Sequence, residues 1–170
     1  MNPITIVKLV ATVVSTAVAV WFVFHKQIDW NKDDATVWEQ IYDRLLERGE
    51  KAMKRAARGK EIPDDLYSTP EQVFLTLAIL EVEVNNGGFD QFFFNTNDSN
   101  NDNLVDFAET VKAFDIAAIC EQALAIHDLQ LEEEEEMKRL KDCDTAFYAS
   151  KDNLTQLLVQ YARENKEFFK

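Results

Sequence analysis

Apolar residues recur along this chain at the three- and four-residue spacing of amphipathic helices. The alternation from Val82 to Val84 lies inside a longer helical period, so no strand is predicted. We therefore expect one all-α domain of about six helices over residues 36–169. The predicted helices cover roughly residues 36–58, 70–85, 104–114, 116–126, 131–140 and 154–161.

Polar residues mark where these helices begin. Side-chain oxygens at the first positions of a helix accept hydrogen bonds from backbone N–H groups that have no partner within the helix. The polar stretch 28–34, ahead of the first helix, predicts a linker. Three starts carry such signals: a Thr36–Glu39 capping box, a Thr69 cap followed by Pro70 and Gln72, and a Ser150 cap.

A different pattern fills the amino-terminal end. Residues 4–24 form an apolar run with a single charge, Lys8. As a helix, this run is long enough to cross a bilayer core of about 30 Å, and Trp21 lies where aromatic belts occur. A cleaved signal peptide is the alternative, but the apolar run continues past Ala19 to Phe24. We therefore expect a transmembrane helix ahead of the domain.

The orientation of this anchor follows from the basic residues on its two sides. At the amino-terminal end the only positive groups are the amino terminus and Lys8, near the start of the run, and positively charged flanks favour the cytoplasmic side. The two cysteines, Cys120 and Cys143, form neither a CxxC motif nor a Cys/His cluster, which is typical of reduced thiols. We expect a single-pass protein of the inner membrane with its domain in the cytoplasm. The basic residues that follow the run are Lys26, Lys32 and Arg44.

Residues 85–95 read NNGGFDQFFFN and allow two interpretations. In one, the glycines end a helix and the phenylalanines pack into the core, leaving the polar side chains outside. In the other, amides and a carboxylate surround an aromatic pocket. The first is favoured, because helix caps are commonly followed by apolar residues. The residues concerned are Asn85, Asn86, Gly87, Gly88, Phe89, Asp90, Gln91, Phe92, Phe93 and Asn95.

This motif resembles the signature of a bacterial family of small acidic all-helical domains, the DNA-mimic-protein-like family. The closing segment 144–169 is also similar, so the resemblance covers about residues 36–169 and leaves the anchor outside it. The family's DNA-mimic member is a dimer whose carboxylates imitate phosphates and occupy the DNA-binding face of a transcription factor. For this chain the resemblance implies a basic protein partner, with DNA-binding proteins as one class, and it allows a homodimer.

Charge is distributed unevenly along the chain. Residues 61–137 contain nineteen acidic residues and one basic residue, Lys112, after a basic block at 44–60. Such a surface disfavours direct binding of nucleic acid and favours a basic partner. Carboxylates three or four positions apart on a helix lie about 5–6 Å from one another, a spacing that a DNA-reading surface could accept. The predicted partner-binding face consists of Asp98, Asp102, Asp106 and Glu109.

Motifs for catalysis or metal binding are missing or incomplete. The chain has no GxSxG motif and no phosphate-binding glycine loop. Residues 97–102 offer oxygen ligands but lack the glycine turn and terminal glutamate of an EF-hand, and His127 has no histidine or cysteine near it in sequence. The run Glu132–Glu136 is spread around a helix, which predicts a solvated face. We expect a binding protein without cofactor or metal; the alternative is a non-catalytic helical domain that binds a small molecule or metal.

Overall fold

The computed structural model describes residues 27–96 and 101–169, and within them the chain forms helices and no strand. A 3-10 turn at Asn101–Asn103 precedes the third helix. The all-α prediction is confirmed for the described residues. The helices, named in chain order, are α1 Asp34–Ala56, α2 Thr69–Thr96, α3 Leu104–Thr110, α4 Phe114–His127, α5 Glu133–Ala149 and α6 Leu154–Glu164.

Helix α2 is the centre of the domain. Every residue from Val73 to Leu80 is buried, because α1, α3, α5 and α6 all pack against it. Around this centre, α1 also contacts α6, and α4 lies against α3 and α5. A helix surrounded on all sides is expected to be apolar around its whole circumference. The buried surface of α2 is therefore wider than the one-sided stripe that the spacing predicted.

The caps of α1 and α6 differ from the prediction, although α6 begins at Leu154 as predicted. Asp33 accepts from the backbone nitrogen of Thr36 at 3.0 Å and from its hydroxyl at 2.8 Å, so α1 begins at Asp34. The Thr36–Glu39 capping box was wrong. At α6 the cap is Asn153, which accepts from the backbone nitrogen of Gln156 at 3.0 Å. The predicted Ser150 cap was also wrong.

A buried carboxylate fixes the start of α2. Glu71 Oε2 accepts from both the backbone nitrogen and the hydroxyl of Ser68 at 2.9 Å, while Glu71 Oε1 lies 2.7 Å from Arg48 Nη2 on α1. The capping box therefore joins Ser68 to Glu71, one residue earlier than predicted, and Gln72 instead donates to the carbonyl of Tyr67 at 2.9 Å. This arrangement ties the first two helices together.

Much of the basic block on α1 is paired with acidic residues. Besides Arg48, Lys51 lies 2.6 Å from Glu47 and Lys54 lies 3.1 Å from Glu50, each one helical turn away. Exposed pairs of this kind contribute a few tenths of a kcal/mol each. Their main consequence is that the positive charge of α1 is partly neutralised within the helix itself.

The segment ahead of α1 is not a plain linker. Ile28 is buried, and the ring of Trp30 meets the ring of Phe169 edge-on at 6.5 Å. Phe169 also contacts Phe74 of α2 at 5.8 Å. The two ends of the described chain therefore close over the same side of α2, and the predicted linker over residues 28–34 was wrong in this respect.

Helix α5 is longer than predicted, since it continues beyond residue 140 to Ala149. Leu140, Cys143 and Phe147 are buried and prolong its apolar stripe. Cys143 and Cys120 are both free thiols. No helix within residues 27–96 and 101–169 is long and apolar enough to cross a membrane. The predicted anchor at residues 4–24 lies outside the described residues and stays a prediction.

Candidate functional site

The NNGGFDQFFFN segment forms a kink inside α2. Gly87 has φ −160° and ψ 15°, and Gly88 has φ 83° and ψ −175°. The conformation of Gly88 is accessible almost only to glycine. A Cβ atom at Gly88 would lie 2.5 Å from a carboxylate oxygen of Asp144. Gly88 thus allows both the turn of the chain and the close approach of α5.

Two side chains of α5 stabilise the backbone on the two sides of this kink. Asp144 Oδ1 accepts from the backbone nitrogen of Phe89 at 2.8 Å, which caps the second half of α2 from another helix. The hydroxyl of Tyr148 donates to the carbonyl of Val84 at 2.6 Å, at the end of the first half. Helix ends leave such groups without partners in their own helix. One face of α5 therefore holds both half-helices in place.

A buried glutamate connects the two halves directly. Glu83 is 3% exposed, and its Oε2 accepts from Gln91 Nε2 at 2.6 Å and from Asn95 Nδ2 at 2.7 Å. Hydrogen bonds to an ionised acceptor are stronger than those between neutral groups. The expectation that the polar side chains of the motif face outward was wrong for Gln91 and Asn95, which brace the kink from within.

The phenylalanines divide between core and surface. Phe89, Phe92 and Phe93 are buried, as predicted. The prediction that all four phenylalanines pack against the interior was wrong for Phe94, which is 83% exposed. Phe93 also stacks on the imidazole of His127 with ring centroids 4.1 Å apart. Three rings therefore fix the second half of α2 against the core, and the fourth does not contribute to that packing.

His127 and Glu136 form a polar contact at the edge of this core. His127 Nδ1 lies 2.5 Å from Glu136 Oε1, which joins α4 to α5. The run Glu132–Glu136 is therefore only partly a solvated face: Glu135 pairs with Arg139 at 2.9 Å on the outside, while Glu136 points to His127. The pKa of the nearby Asp90 is raised, mainly by its burial and to a smaller extent by the negative charges of Glu136, Glu133 and Asp144.

Two cavities adjoin the end of the first half of α2. The larger, about 360 Å³, is lined by residues of α1, α2 and α6, and the smaller, about 240 Å³, by residues of α2, α4, α5 and α6 and of the segment between α5 and α6. Glu81 and Asn85 line both cavities. Asn86 lines the larger one, whereas Asp90, Gln91 and Asn95 line neither. The motif thus contributes two of its three asparagines, Asn85 and Asn86, but not its carboxylate, to these cavities.

The predicted partner-binding face lies at the start of α3. Asp102 belongs to the 3-10 turn, Asp106 and Glu109 belong to α3, and all three are exposed. Asp98 lies outside the described residues. Leu104 and Ala108 are buried on the opposite side of the helix. None of the three exposed carboxylates forms an ion pair within residues 27–96 and 101–169, so their charge is directed to solvent.

Residues 65–165 match the family model described as DMP19-like protein. The chain belongs to this family, also called the DNA mimic protein 19-like family. No curated protein and no solved structure matches the chain. The DMP19-like region is shorter than the predicted 36–169, because it begins after α1. It nevertheless includes the kink, the braces at Glu83, Asp144 and Tyr148, and the exposed carboxylates of α3.

Sequence reasoning missed the roles of Glu83, Asp144 and Tyr148. Asp144 and Tyr148 are four residues apart and lie on one face of α5, but the predicted helix ended at residue 140. Their partners, Phe89 and Val84, are 55 and 64 residues away in sequence. No local pattern indicates a contact over that separation.

Proposed function

We propose that this DMP19-like protein acts by binding a basic protein partner through the exposed carboxylates at the start of α3. The single observation that supports it best is the row Asp102, Asp106 and Glu109, which is exposed and has no ion-pair partner in the described part of the chain. Membership of a DNA-mimic-like family favours a DNA-binding protein as that partner. Binding, rather than bond-making chemistry, is then the protein's activity.

The spacing and exposure of these carboxylates determine how a basic partner would bind them. Carboxylates one helical turn apart lie about 5–6 Å from one another, so basic side chains that normally contact successive phosphates could contact them in turn. Exposed charges act over roughly a Debye length, about 8 Å at physiological ionic strength. The interaction is therefore expected to be fast to form and to weaken as salt is added.

Neutralising the face tests this proposal. The variant carries Asp98→Asn, Asp102→Asn, Asp106→Asn and Glu109→Gln, and capture of partner proteins from a lysate is measured by quantitative mass spectrometry. Four charged contacts at about 0.2–1 kcal/mol each predict a loss of about tenfold in capture. A matched control removes the same charge elsewhere, at the exposed residues Glu121, Asp128, Glu132 and Glu134.

The control separates a specific face from the net charge of −13. The control variant is expected to capture the partner as the wild type does. Equal losses in both variants would mean that only overall charge matters, and unchanged capture in both would remove the proposed role of α3.

The anchor completes the proposal. We place residues 4–24 in the inner membrane and the acidic domain in the cytoplasm. Anionic headgroups or a second copy of the protein could then contact the basic residues Arg55, at the end of α1, and Arg58, just after it. Fractionation and protease treatment of spheroplasts check this: the protein should remain in the membrane fraction after a high-salt wash, and its domain should be digested only after lysis. Recovery in the soluble fraction, or digestion in intact spheroplasts, would contradict the proposed topology.

A further inference from the structure

Glu81 is a carboxylate with only half of its hydrogen bonding satisfied. It lies on α2 one turn before the end of the first half, and its Oε1 accepts from the hydroxyl of Thr155 at 2.9 Å. Its Oε2 is buried and has no hydrogen-bond partner in the described part of the chain. A buried acceptor without a partner costs about 1–3 kcal/mol, and more when it is charged.

No basic side chain within the described ranges compensates this charge. Burial raises the pKa of Glu81, and only the hydrogen bonds from Thr155 oppose that effect. By contrast, the buried Glu71 lies 2.7 Å from a guanidinium nitrogen of Arg48, and Glu83 accepts from two amides. Glu81 therefore differs from the other two glutamates of α2, whose acceptors are engaged by cationic or amide donors.

The larger cavity beside Glu81 has walls of mixed character. Ala35, Trp38 and Val82 supply apolar surface, while Asn85, Asn86 and Thr155 supply amide and hydroxyl groups. A volume of about 360 Å³ is at the lower end of the range for small-molecule sites, roughly 300–1,000 Å³.

The chemical groups that line the cavity limit the class of ligand that it can bind. An anion would meet the carboxylate, and no Lys, Arg or His is among the described residues that line the cavity. A divalent metal needs several anionic or imidazole ligands, and no group of three such residues occurs within residues 27–96 and 101–169. An organic cation fits better, since its charge is opposite to that of Glu81, its N–H groups can donate to the amide oxygens, and apolar walls and an aromatic ring surround its stem.

We propose that the cavity between α1, α2 and α6 binds a small organic cation, a primary ammonium or guanidinium group on a short aliphatic stem, with Glu81 as its counter-charge. This site lies apart from the carboxylates of α3 and is independent of the function proposed for them. The cation could be a free metabolite or a lysine or arginine side chain of a partner; both present the same chemistry to Glu81.

Calorimetry with defined probes tests the site. Nα-acetyl-L-argininamide and putrescine are titrated into the wild-type protein, and Nα-acetyl-L-citrullinamide, which has no ammonium or guanidinium group, serves as the uncharged counterpart of the argininamide. We expect binding of the two cations and none of the citrullinamide. Glu81→Gln should weaken cation binding at least tenfold, whereas Glu121→Gln, which removes the same charge from an exposed position on α4, should leave it unchanged within about twofold.

Loss of folding should not mimic this result, because glutamine at position 81 can still accept from Thr155. Glu81 has a raised pKa in the folded protein, so the wild type loses stability as pH rises from 4.5, the ordinary value of this carboxyl, through the folded pKa. The Glu81→Gln protein should lack that loss and be at least as stable at neutral pH.

Ala35→Trp, which fills the cavity from an exposed position on α1 without altering charge, should also weaken binding.

The outcomes separate the sources of the cation. If Glu81→Gln also lowers partner capture in the lysate assay, the cation is a side chain of the partner; if capture is unchanged, the cation is a free small molecule. Failure of the α3 variant to affect capture would leave the calorimetric result intact. Absence of cation binding up to about 10 mM, or equal binding by Glu81→Gln, would overturn the proposal.

Discussion

Gly88→Ala is expected to lower the free energy of unfolding by roughly 3–5 kcal/mol. Two costs combine at this position. The backbone has φ 83° and ψ −175°, a region that costs a residue with a Cβ atom about 1–3 kcal/mol. The new Cβ would also lie 2.5 Å from Asp144 Oδ2, so the carboxylate must move from the backbone nitrogen of Phe89, which it contacts at 2.8 Å.

Gly59→Ala provides the matched control for this measurement by urea unfolding. Gly59 also has a positive φ, 76°, but a Cβ atom at this position would meet no atom within 4 Å. Only the backbone cost applies there, about 1–2 kcal/mol for a residue with a Cβ atom at positive φ. The double variant Gly88→Ala/Asp144→Ala should lose less free energy of unfolding than the sum of the losses in the two single variants, because the clash is absent when both changes are made. Equal losses for the two glycine variants would contradict the role assigned to Asp144.

Glu83→Ala is expected to have the second large effect, also about 3–5 kcal/mol. The substitution removes the acceptor of two side-chain amides, Gln91 Nε2 at 2.6 Å and Asn95 Nδ2 at 2.7 Å. Gln91 and Asn95 are only partly buried, so the loss of their acceptor costs about 1 kcal/mol each, the lower end for unpaired donors, and the lost side-chain volume adds a cavity. The helical signal of the protein in circular dichroism should be lost at a lower urea concentration than in the wild type.

Glu83→Gln separates the hydrogen bonds from the rest of the side chain. Glutamine keeps the volume and one acceptor oxygen but loses the charge, so the expected loss is smaller, about 1–2 kcal/mol. If the free energy of unfolding of the Glu83→Ala protein is within about 0.5 kcal/mol of the wild-type value, as is typical of substitutions at exposed positions, then Glu83 does not hold the kink together.

The elements that could be predicted from sequence are those whose signal is local. The apolar spacing indicated the existence of all six described helices, and the glycines with their following phenylalanines indicated a turn packed into the core at Gly88, Phe89, Phe92 and Phe93. Helix ends were less accurate where several polar residues compete for the same cap. Asp33 displaced Thr36, and Ser68 with Glu71 displaced Thr69 with Gln72, because any of these side chains satisfies the same backbone donors.

The remaining features depend on contacts that a linear pattern does not encode. Asp144 and Tyr148 reach the kink from 55 and 64 residues away, so their roles emerge only when α5 is packed on α2. Gln91 and Asn95 look like surface residues in sequence, but Glu83 draws them inward. The same holds for Glu81, whose lack of a basic neighbour among the described residues is a property of the packed helices and not of its sequence context.

Competition with duplex DNA tests the central claim most directly. The partner captured by the wild-type protein is purified, and its dissociation constant is measured at low and physiological salt, with and without duplex DNA. The account predicts that DNA displaces the protein, that added salt weakens binding, and that neutralising Asp98, Asp102, Asp106 and Glu109 weakens it about tenfold. Binding that tolerates salt, persists in excess DNA and is unchanged by those four substitutions would contradict it.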